Sequence, residues 1–489
     1  MTLAAPRGRR ASRGGIWGFA GLVILIVAAG VAAMGVLPPI LVLAGLLAIA
    51  GAAAIVLDPQ WGLIAVAAFA VLRLADVATN FHGAPPTFAP LVAIVLLGLA
   101  LRGRATGEWP VGGGRALLLV AAYGTIAIGS LLISGDSGDG TGAVRTLFED
   151  GAVAVFAGML LRGATDLHRL VWALVGGGAL LATLSIFQFV TGSFGSTFGG
   201  FAQSAVQNIF EGTDDVRISG PVGDPNFYAQ LLVMIIPLAF DRMRDEASGL
   251  SRSIAGYAVV AMSATVVLTF SRGGLLALAI VMAFMVVRHP PRPRTVAAAG
   301  LLLVAALPFM PSGYAERLTS LTEVGAVEAG IDPSLRGRTA EMGAAMAMFW
   351  DRPLTGVGFG NFAAEYPDYS DDLGIDVRDT PREAHNLYLE TAAETGLVGI
   401  AALTALVVAS FAALAAGRRR FRRMADLRSD AIGFAVAVSL VGYLVTSVFL
   451  HMAFARLAWL VFGIALAFPS VARAEDEARD AAVQEAAWR

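Results

Sequence analysis

The chain has 489 residues, of which 57% are hydrophobic and 15% charged, with 56 glycines, 21 prolines, no cysteine and a formal net charge of −2. An ordinary soluble protein carries roughly 25% charged residues, and no soluble core of plausible size could hide this much apolar surface, so a soluble enzyme is excluded. At about 20 residues per crossing, the apolar material suffices for roughly fourteen membrane spans.

The absences narrow the chemistry. All 35 basic residues are arginine. Without lysine there is neither a Walker A lysine nor a Schiff-base amine. Without cysteine there is no disulfide framework, thiolate nucleophile or thiolate metal site. The five histidines, His82, His168, His289, His385 and His451, include no HExxH pair.

Apolar runs bounded by charge or Gly/Pro clusters predict helices at 15–36, 40–57, 60–75, 88–101, 116–133, 147–161, 170–191, 225–241, 254–271, 273–287, 295–310, 386–416, 430–450 and 453–470. The first run lacks a small-x-small cleavage site and leads into further spans, so it reads as a span and not as a cleaved signal. The expected fold is all-α and polytopic, about 12–14 transmembrane helices with a long helical outer loop. The expected organisation is a basic cytoplasmic N-terminus (1–14), N-terminal transmembrane helices (15–310) with an outer loop near 192–223, a long outer catalytic loop (311–385), C-terminal transmembrane helices (386–470) and a cytoplasmic tail (471–489).

Orientation follows from the arginine bias. With Arg7, Arg9, Arg10 and Arg13 inside, alternation across the spans also sends inside the clusters around Arg102, Arg162, Arg242 and Arg288 and the run from Arg418 to Arg428. Both termini are then cytoplasmic. Eleven arginines remain outside: Arg73, Arg145, Arg217, Arg272, Arg317, Arg336, Arg338, Arg352, Arg378, Arg382 and Arg456. The long outer loop contains a helical pattern at Arg338–Trp350 whose Met342, Ala345, Met346 and Phe349 share a face, expected against protein or in the membrane interface.

Four stretches carry chemistry. Arg217-Ile-Ser-Gly-Pro-Val-Gly-Asp224-Pro225-Asn226-Phe227 contains a helix start, with Asp224 as cap and Pro225 at the first helical position; capping does not explain Arg217 or Asn226. Thr269-Phe-Ser-Arg272-Gly-Gly sets an arginine between two apolar runs, which is costly unless it is paired or faces water. Arg336-Gly-Arg338 leads through Trp350 to Arg352-Pro-Leu-Thr-Gly356-Val-Gly358-Phe-Gly360-Asn361-Phe362, where the glycines allow a tight backbone path and could offer amides to an anion. Arg336 and Arg338 could instead pair with Asp332 or Glu341. Arg382-Glu-Ala-His385-Asn386-Leu-Tyr388 places a histidine at the mouth of a span, suited to general-base work or to holding a sugar hydroxyl. The acidic residues Glu365, Asp368, Asp371, Asp372, Asp376 and Asp379 read as a solvated loop face.

Together these stretches resemble the O-antigen ligase and O-antigen polymerase superfamily of bacterial membrane glycosyltransferases, over roughly residues 210–450. The resemblance rests on R-x-x-G-x-x-G-D-P-N-F-x-A, S-R-G-G, G-R…W…R-P-L-T-G-V-G-x-G-N-F and H-N-x9-G-x-x-G, the last two around one long outer loop. It implies an inner-membrane enzyme, with its site on the outer face, that moves a glycan from an undecaprenyl-pyrophosphate carrier onto an acceptor by inversion. Arg338, Arg272 and His385 match the family's essential residues, and Arg217 matches a further arginine. Arg336, Asn226, Asn386 and Tyr388 are expected to bind substrate. The expected partners are a lipid-linked oligosaccharide donor, a glycan or glycolipid acceptor and the bilayer, with no nucleic acid, no cofactor and no metal. Arginines suit the reaction because they stabilise a departing pyrophosphate with permanent, bidentate charge. Protein O-glycosylation is the alternative within the superfamily. A secondary transporter or flippase for an anionic lipid-linked sugar is the alternative from another class, and would leave His385 without a task.

Overall fold

The computed structural model describes residues 39–107, 109–110, 112–135, 138–207, 215–290, 333–374, 381–451 and 456–488. The predicted helices at 15–36 and 295–310, and residues 311–332 of the long loop, lie outside the described residues.

Fifteen α-helices and one two-stranded sheet are present among the described residues. In chain order they are α1 (Pro39–Leu57), α2 (Gln60–Val71), α3 (Leu74–His82), α4 (Phe88–Thr106), α5 (Gly114–Ser134), α6 (Gly140–Leu160), α7 (Ala164–Thr191), β1 (Gln203–Gln207), β2 (Asp215–Gly220), α8 (Pro225–Asp245), α9 (Gly249–Leu268), α10 (Arg272–Arg288), α11 (Pro333–Asp351), α12 (Phe362–Leu373), α13 (Leu387–Arg423), α14 (Leu427–Thr446) and α15 (Arg456–Trp488). Seven of these, α4, α5, α7, α9, α13, α14 and α15, are long and apolar enough to cross a membrane, and α2 with α3, bent by 58°, makes an eighth if counted as one span. The protein is an all-α, multi-pass membrane protein. Leu117, Leu118, Leu132 and Val190 stand exposed on these helices, which is the surface a hydrocarbon solvent would cover.

Two compact units divide the chain, residues 1–62 with 91–109, and 63–90 with 110–489. In the first, Arg102 reaches Asp58 at 3.2 Å. A Cβ on Gly98 would lie 2.6 Å from the Ile55 carbonyl oxygen, so this glycine sets how closely α1 and α4 pack.

The second unit is built around α8. Every residue from Phe227 to Arg242 is buried, beneath α7, α9, α10 and α14. Asp224 caps the helix by accepting from the amides of Asn226 at 2.7 Å and Phe227 at 3.1 Å, and Pro225 follows at the first helical position, as the sequence predicts. At its far end Arg242 is fully buried and paired with Asp241 at 2.5 Å and Glu246 at 3.2 Å. Glu246 also accepts from Trp172 at 3.0 Å and Arg428 at 2.8 Å. A buried guanidinium is tolerable only when paired in this way. Arg418 joins Asp430 at 2.9 Å and Arg420 joins Asp476 at 2.7 Å, so the arginines that the sequence assigns to the inner side carry a dense set of ion pairs.

Four local features add detail to the sequence expectation. The predicted helix at 60–75 is broken at Arg73, whose φ is 51°, and Asp76 holds that arginine at 2.7 Å. The 192–223 loop contains the antiparallel hairpin β1/β2, with Ala205 opposite Arg217. The helix of the last span continues to Trp488, through the segment expected to be the cytoplasmic tail. On α11, Ala340, Glu341, Ala344, Ala345 and Met348 are buried, while Met342 and Met346 are 44% and 43% exposed and Trp350 is 69% exposed. Small residues make the close helix contact, and the larger apolar ones are left outside it.

The long helix α13 is not continuous. Gly396 has φ 63° and ψ −159°, outside helical geometry, and the polar groups freed there are met by the segment that precedes α12. Val357 donates its amide to the Ala393 carbonyl at 2.8 Å, Gly358 to Glu394 at 3.1 Å, and Leu397 to the Pro353 carbonyl at 2.8 Å. Ser130 of α5 adds its hydroxyl to the carbonyls of Thr355 at 2.7 Å and Glu394 at 2.6 Å. The two glycine motifs therefore interlock: a Cβ on Gly356 would lie 2.2 Å from the Glu394 carbonyl carbon, and one on Gly396 would lie 2.4 Å from that of Leu354. We expect Gly396→Val to combine backbone strain with a backbone clash and cost about 2 kcal/mol or more. Thermal unfolding in detergent should show a clearly lowered transition, and an unchanged one would rule the interlock out as a source of stability.

Candidate active site

The site lies within the second unit, where three helices begin close together. α8 starts at the Asp224 cap; α10 starts at Ser271, whose hydroxyl accepts from the Gly274 amide at 3.2 Å; α13 starts at Asn386, whose side chain accepts from Tyr388 at 3.0 Å and Leu389 at 3.1 Å. Glycines permit the convergence: a Cβ on Gly274 would lie 2.6 Å from the Ala229 Cβ, and one on Gly273 would lie 2.8 Å from the Phe449 ring. Such helix starts direct amides and positive dipole ends toward anions.

Arg217 projects from β2 and is buried. Its Nε donates to the Thr269 carbonyl at 2.8 Å and its Nη2 to Asn226 Oδ1 at 3.2 Å. One guanidinium thereby ties the hairpin to the start of α8 and to the turn that leads into Arg272. Arg272 occupies the first position of α10, after Phe270 in a left-handed conformation (φ 53°). Three of the predicted residues, Arg217, Asn226 and Arg272, are thus drawn together by one turn.

His385 is the residue before the α13 cap and has φ 46°, rare outside glycine. Ala384, its neighbour, is packed into a core with Ala344, Met348, Val357, Phe362 and Ala393, which fixes the strand of chain leading to it. The amide of Leu387 donates to the carbonyls of Ser447 at 3.0 Å and Leu450 at 2.8 Å, and Tyr388 donates its hydroxyl to the Leu444 carbonyl at 2.7 Å. Burial, and then the positive charges of Arg338 and Arg382, hold the His385 imidazole below its ordinary value of 6.5 against the opposing pull of Asp224. The imidazole is therefore neutral at neutral pH.

Arg338 of α11 is half-buried and acts electrostatically on His385. Glu341, one turn along, is paired with Arg382 at 3.6 Å. The side chain of Arg336, and Asp332 altogether, lie outside what is described. The amides of Val357 and Gly358 go to carbonyls of α13, and those of Gly360 and Phe362 to the Glu394 carboxylate, so the glycine segment offers its amides to groups of the protein itself. Tyr388 points its hydroxyl at a backbone carbonyl, and its contribution is to pin α13 to α14. Asp368, Asp371 and Asp372 are exposed, in keeping with a solvated face, while Asp376 and Asp379 lie outside the described residues.

The sequence did not single out His451. Its ring meets that of His385 at 5.4 Å and that of Phe227 at 5.0 Å, both edge to face. Burial first, and then His385, pushes its imidazole down to about 3. Its place at the end of a predicted span is the only signal that could have marked it.

Residues 257–404 match the family model described as O-antigen ligase. The chain carries an O-antigen ligase domain. The match takes in Arg272, Arg338, His385 and both interlocking glycine motifs, and stops short of Arg217, Asn226 and His451. No curated protein matches the chain. The match supports, for this multi-pass membrane protein, a glycosyltransferase of the O-antigen ligase type that works on lipid-linked glycans in general.

The cap geometry separates stability from chemistry at Asn386. Asn386→Ala should lower stability by about 1 kcal/mol, whereas Asn386→Asp keeps an acceptor for both amides and should leave it nearly unchanged. Thermal melts of the two variants check this, and equal losses would overturn the capping role.

Proposed function

We propose that this O-antigen ligase domain transfers a glycan from an undecaprenyl-pyrophosphate-linked donor to an acceptor hydroxyl by a single inverting displacement. The observation that carries the reading is the gathering of Arg272, Arg338 and Arg217 with a neutral His385 where three helices begin. Arg272 and Arg338 hold the pyrophosphate, and their fixed charge stabilises it as the bond from the anomeric carbon to the phosphate oxygen breaks. Arg217 and Arg336 support them, with Asn226, Asn386 and Tyr388 shaping the wall. The acceptor oxygen forms the new bond at the anomeric carbon, and its proton passes to the His385 imidazole. Polyprenyl pyrophosphate leaves. The arginines supply the charge a metal would otherwise bring, so the step is written without one.

In this reading the protein sits in the bacterial inner membrane with both termini in the cytoplasm and the site on the outer face. The inner arginines are engaged in ion pairs at the far end of α8, which supports that orientation.

Purified protein in lipid nanodiscs, given a lipid-linked oligosaccharide, tests the reading by product sizing. A ladder from the donor alone identifies a polymerase, one addition to a separate glycolipid a ligase, and addition to a peptide serine or threonine a protein glycosylating enzyme; an unaltered donor under all three conditions overturns the transferase. Arg272→Ala and Arg338→Ala should each lower turnover by about 10²–10³-fold, and His385→Ala by about 10²-fold or more. Full activity in the last variant would remove His385 from the chemistry.

The pH dependence has a definite sign. Because the neutral imidazole is the competent form and its pKa lies below 6.5, turnover should be level at neutral pH and fall on the acid side, with a midpoint under 6.5. A rate that rises on acidification would contradict the assignment.

A further inference from the structure

A cavity of about 450 Å³ lies beside the His385–His451 pair, with His451 in its wall. Its size is within the roughly 300–1,000 Å³ typical of small-molecule sites. Its lining is carboxyl-rich where the other side carries arginines. Asp139, Asp150, Glu383, Glu390 and Glu394 all line it, and no arginine does.

Three of these carboxylates have structural tasks. Asp139 caps α6 by accepting from the Gly142 amide at 3.2 Å, Asp150 holds Arg456 at 2.8 Å, and Glu394 accepts from the Phe362 amide at 3.2 Å. Glu383 has no such task among the described residues. It is two positions before His385, and burial alone pushes its carboxyl up, with no cation acting on it. A second feature is independent of the carboxylates. The Nδ1 of His451 is buried and has no hydrogen-bond partner among the described residues, so this wall carries an unmet polar group. Tyr123 and Trp459 complete the wall with aromatic surface suited to the apolar face of a sugar ring.

We propose that this cavity is the acceptor subsite, and that it takes a saccharide whose reacting end carries hydroxyl or ammonium groups but neither phosphate nor carboxylate. The inference rests on the transferase reading above. The two substrates are then sorted by charge: an anionic leaving group belongs on the arginine side, an uncharged or cationic acceptor belongs on the carboxylate side, and the two imidazoles stand at the seam. Glu383 is a positioning residue that accepts a hydrogen bond from a group next to the reacting hydroxyl and takes no part in bond making.

The test uses the full chain in nanodiscs and saturation-transfer NMR with three probes: a methyl glucoside, a methyl glucosaminide and a methyl glucoside 6-phosphate. The first two should bind, the amine better, and the phosphate at least about tenfold more weakly, because like charges repel. Glu383→Gln should remove the advantage of the amine and keep binding of the neutral sugar. Thr146→Trp, which fills the cavity from an exposed position on α6, should abolish binding of all three and leave binding of polyprenyl pyrophosphate unchanged. A phosphate probe that binds as tightly as the neutral one, or a Thr146→Trp protein that still binds the sugars, would overturn the proposal. Turnover of lipid-linked donor with acceptors regardless of their charge would count against this inference alone. Selective probe binding without turnover of any donor would count against the transferase reading and leave the sugar preference standing.

Discussion

Hydrocarbon offers no partner to a backbone amide, so a transmembrane helix can break only where other protein atoms satisfy the freed groups. The interruption of α13 at Gly396 obeys this constraint, and much of the site depends on how it does so. The chain around Gly356 supplies the missing donors and acceptors. That contact fixes the loop between α11 and α12, the acidic side chain of Glu394 at the start of α12, and the short rising part of α13 that carries Asn386. With the break in place, the residues before α13 have a defined height above α14, where Leu387 is bonded to two carbonyls. His385 is held by this scaffold and not by contacts of its own ring alone.

Charge is divided with equal economy. One set of arginines is neutralised by partners at the far end of α8, as in the Arg242–Asp241–Glu246 cluster. Another converges near three helix starts, whose dipoles add to the positive field. A third, Arg456, bridges Asp150 and Asp76 and lies over the Phe88 ring at 4.7 Å, serving structure alone. An outward arginine is therefore informative only together with what surrounds it.

The fold class and the main helices were legible because apolar length is a direct physical requirement of the bilayer, and the site motifs because their glycines and arginines are uncommon in apolar sequence. The remainder had weak local signals. The hairpin strand Gln203–Gln207 is short and polar and lacks clean alternation. The bend at Arg73 depends on an ion pair to Asp76, which hydropathy cannot register. On α11 the helix contact is made by alanines and Met348, while Met342 and Met346 stay exposed, a division between protein-facing and outer sides that apolar size alone does not reveal. His451 and Glu383 acquire meaning only from residues distant in sequence that fold against them.

The left-handed backbone at His385 also restricts how this position could change over evolutionary time. Besides glycine, such a conformation is tolerated best by Asn, Asp and His, and poorly by β-branched side chains. On the proposed transferase reading, two requirements meet at one codon, one for an imidazole and one for a residue at ease with φ 46°. A lineage that gave up the histidine could reach Asn or Asp in a single nucleotide change while keeping the entry into α13 intact. Drift toward Val, Ile or Thr would disturb the helix entry itself. Descendants that lost the chemistry would thus be recognisable by an amide or a carboxylate at this turn, with the fold around it unaltered.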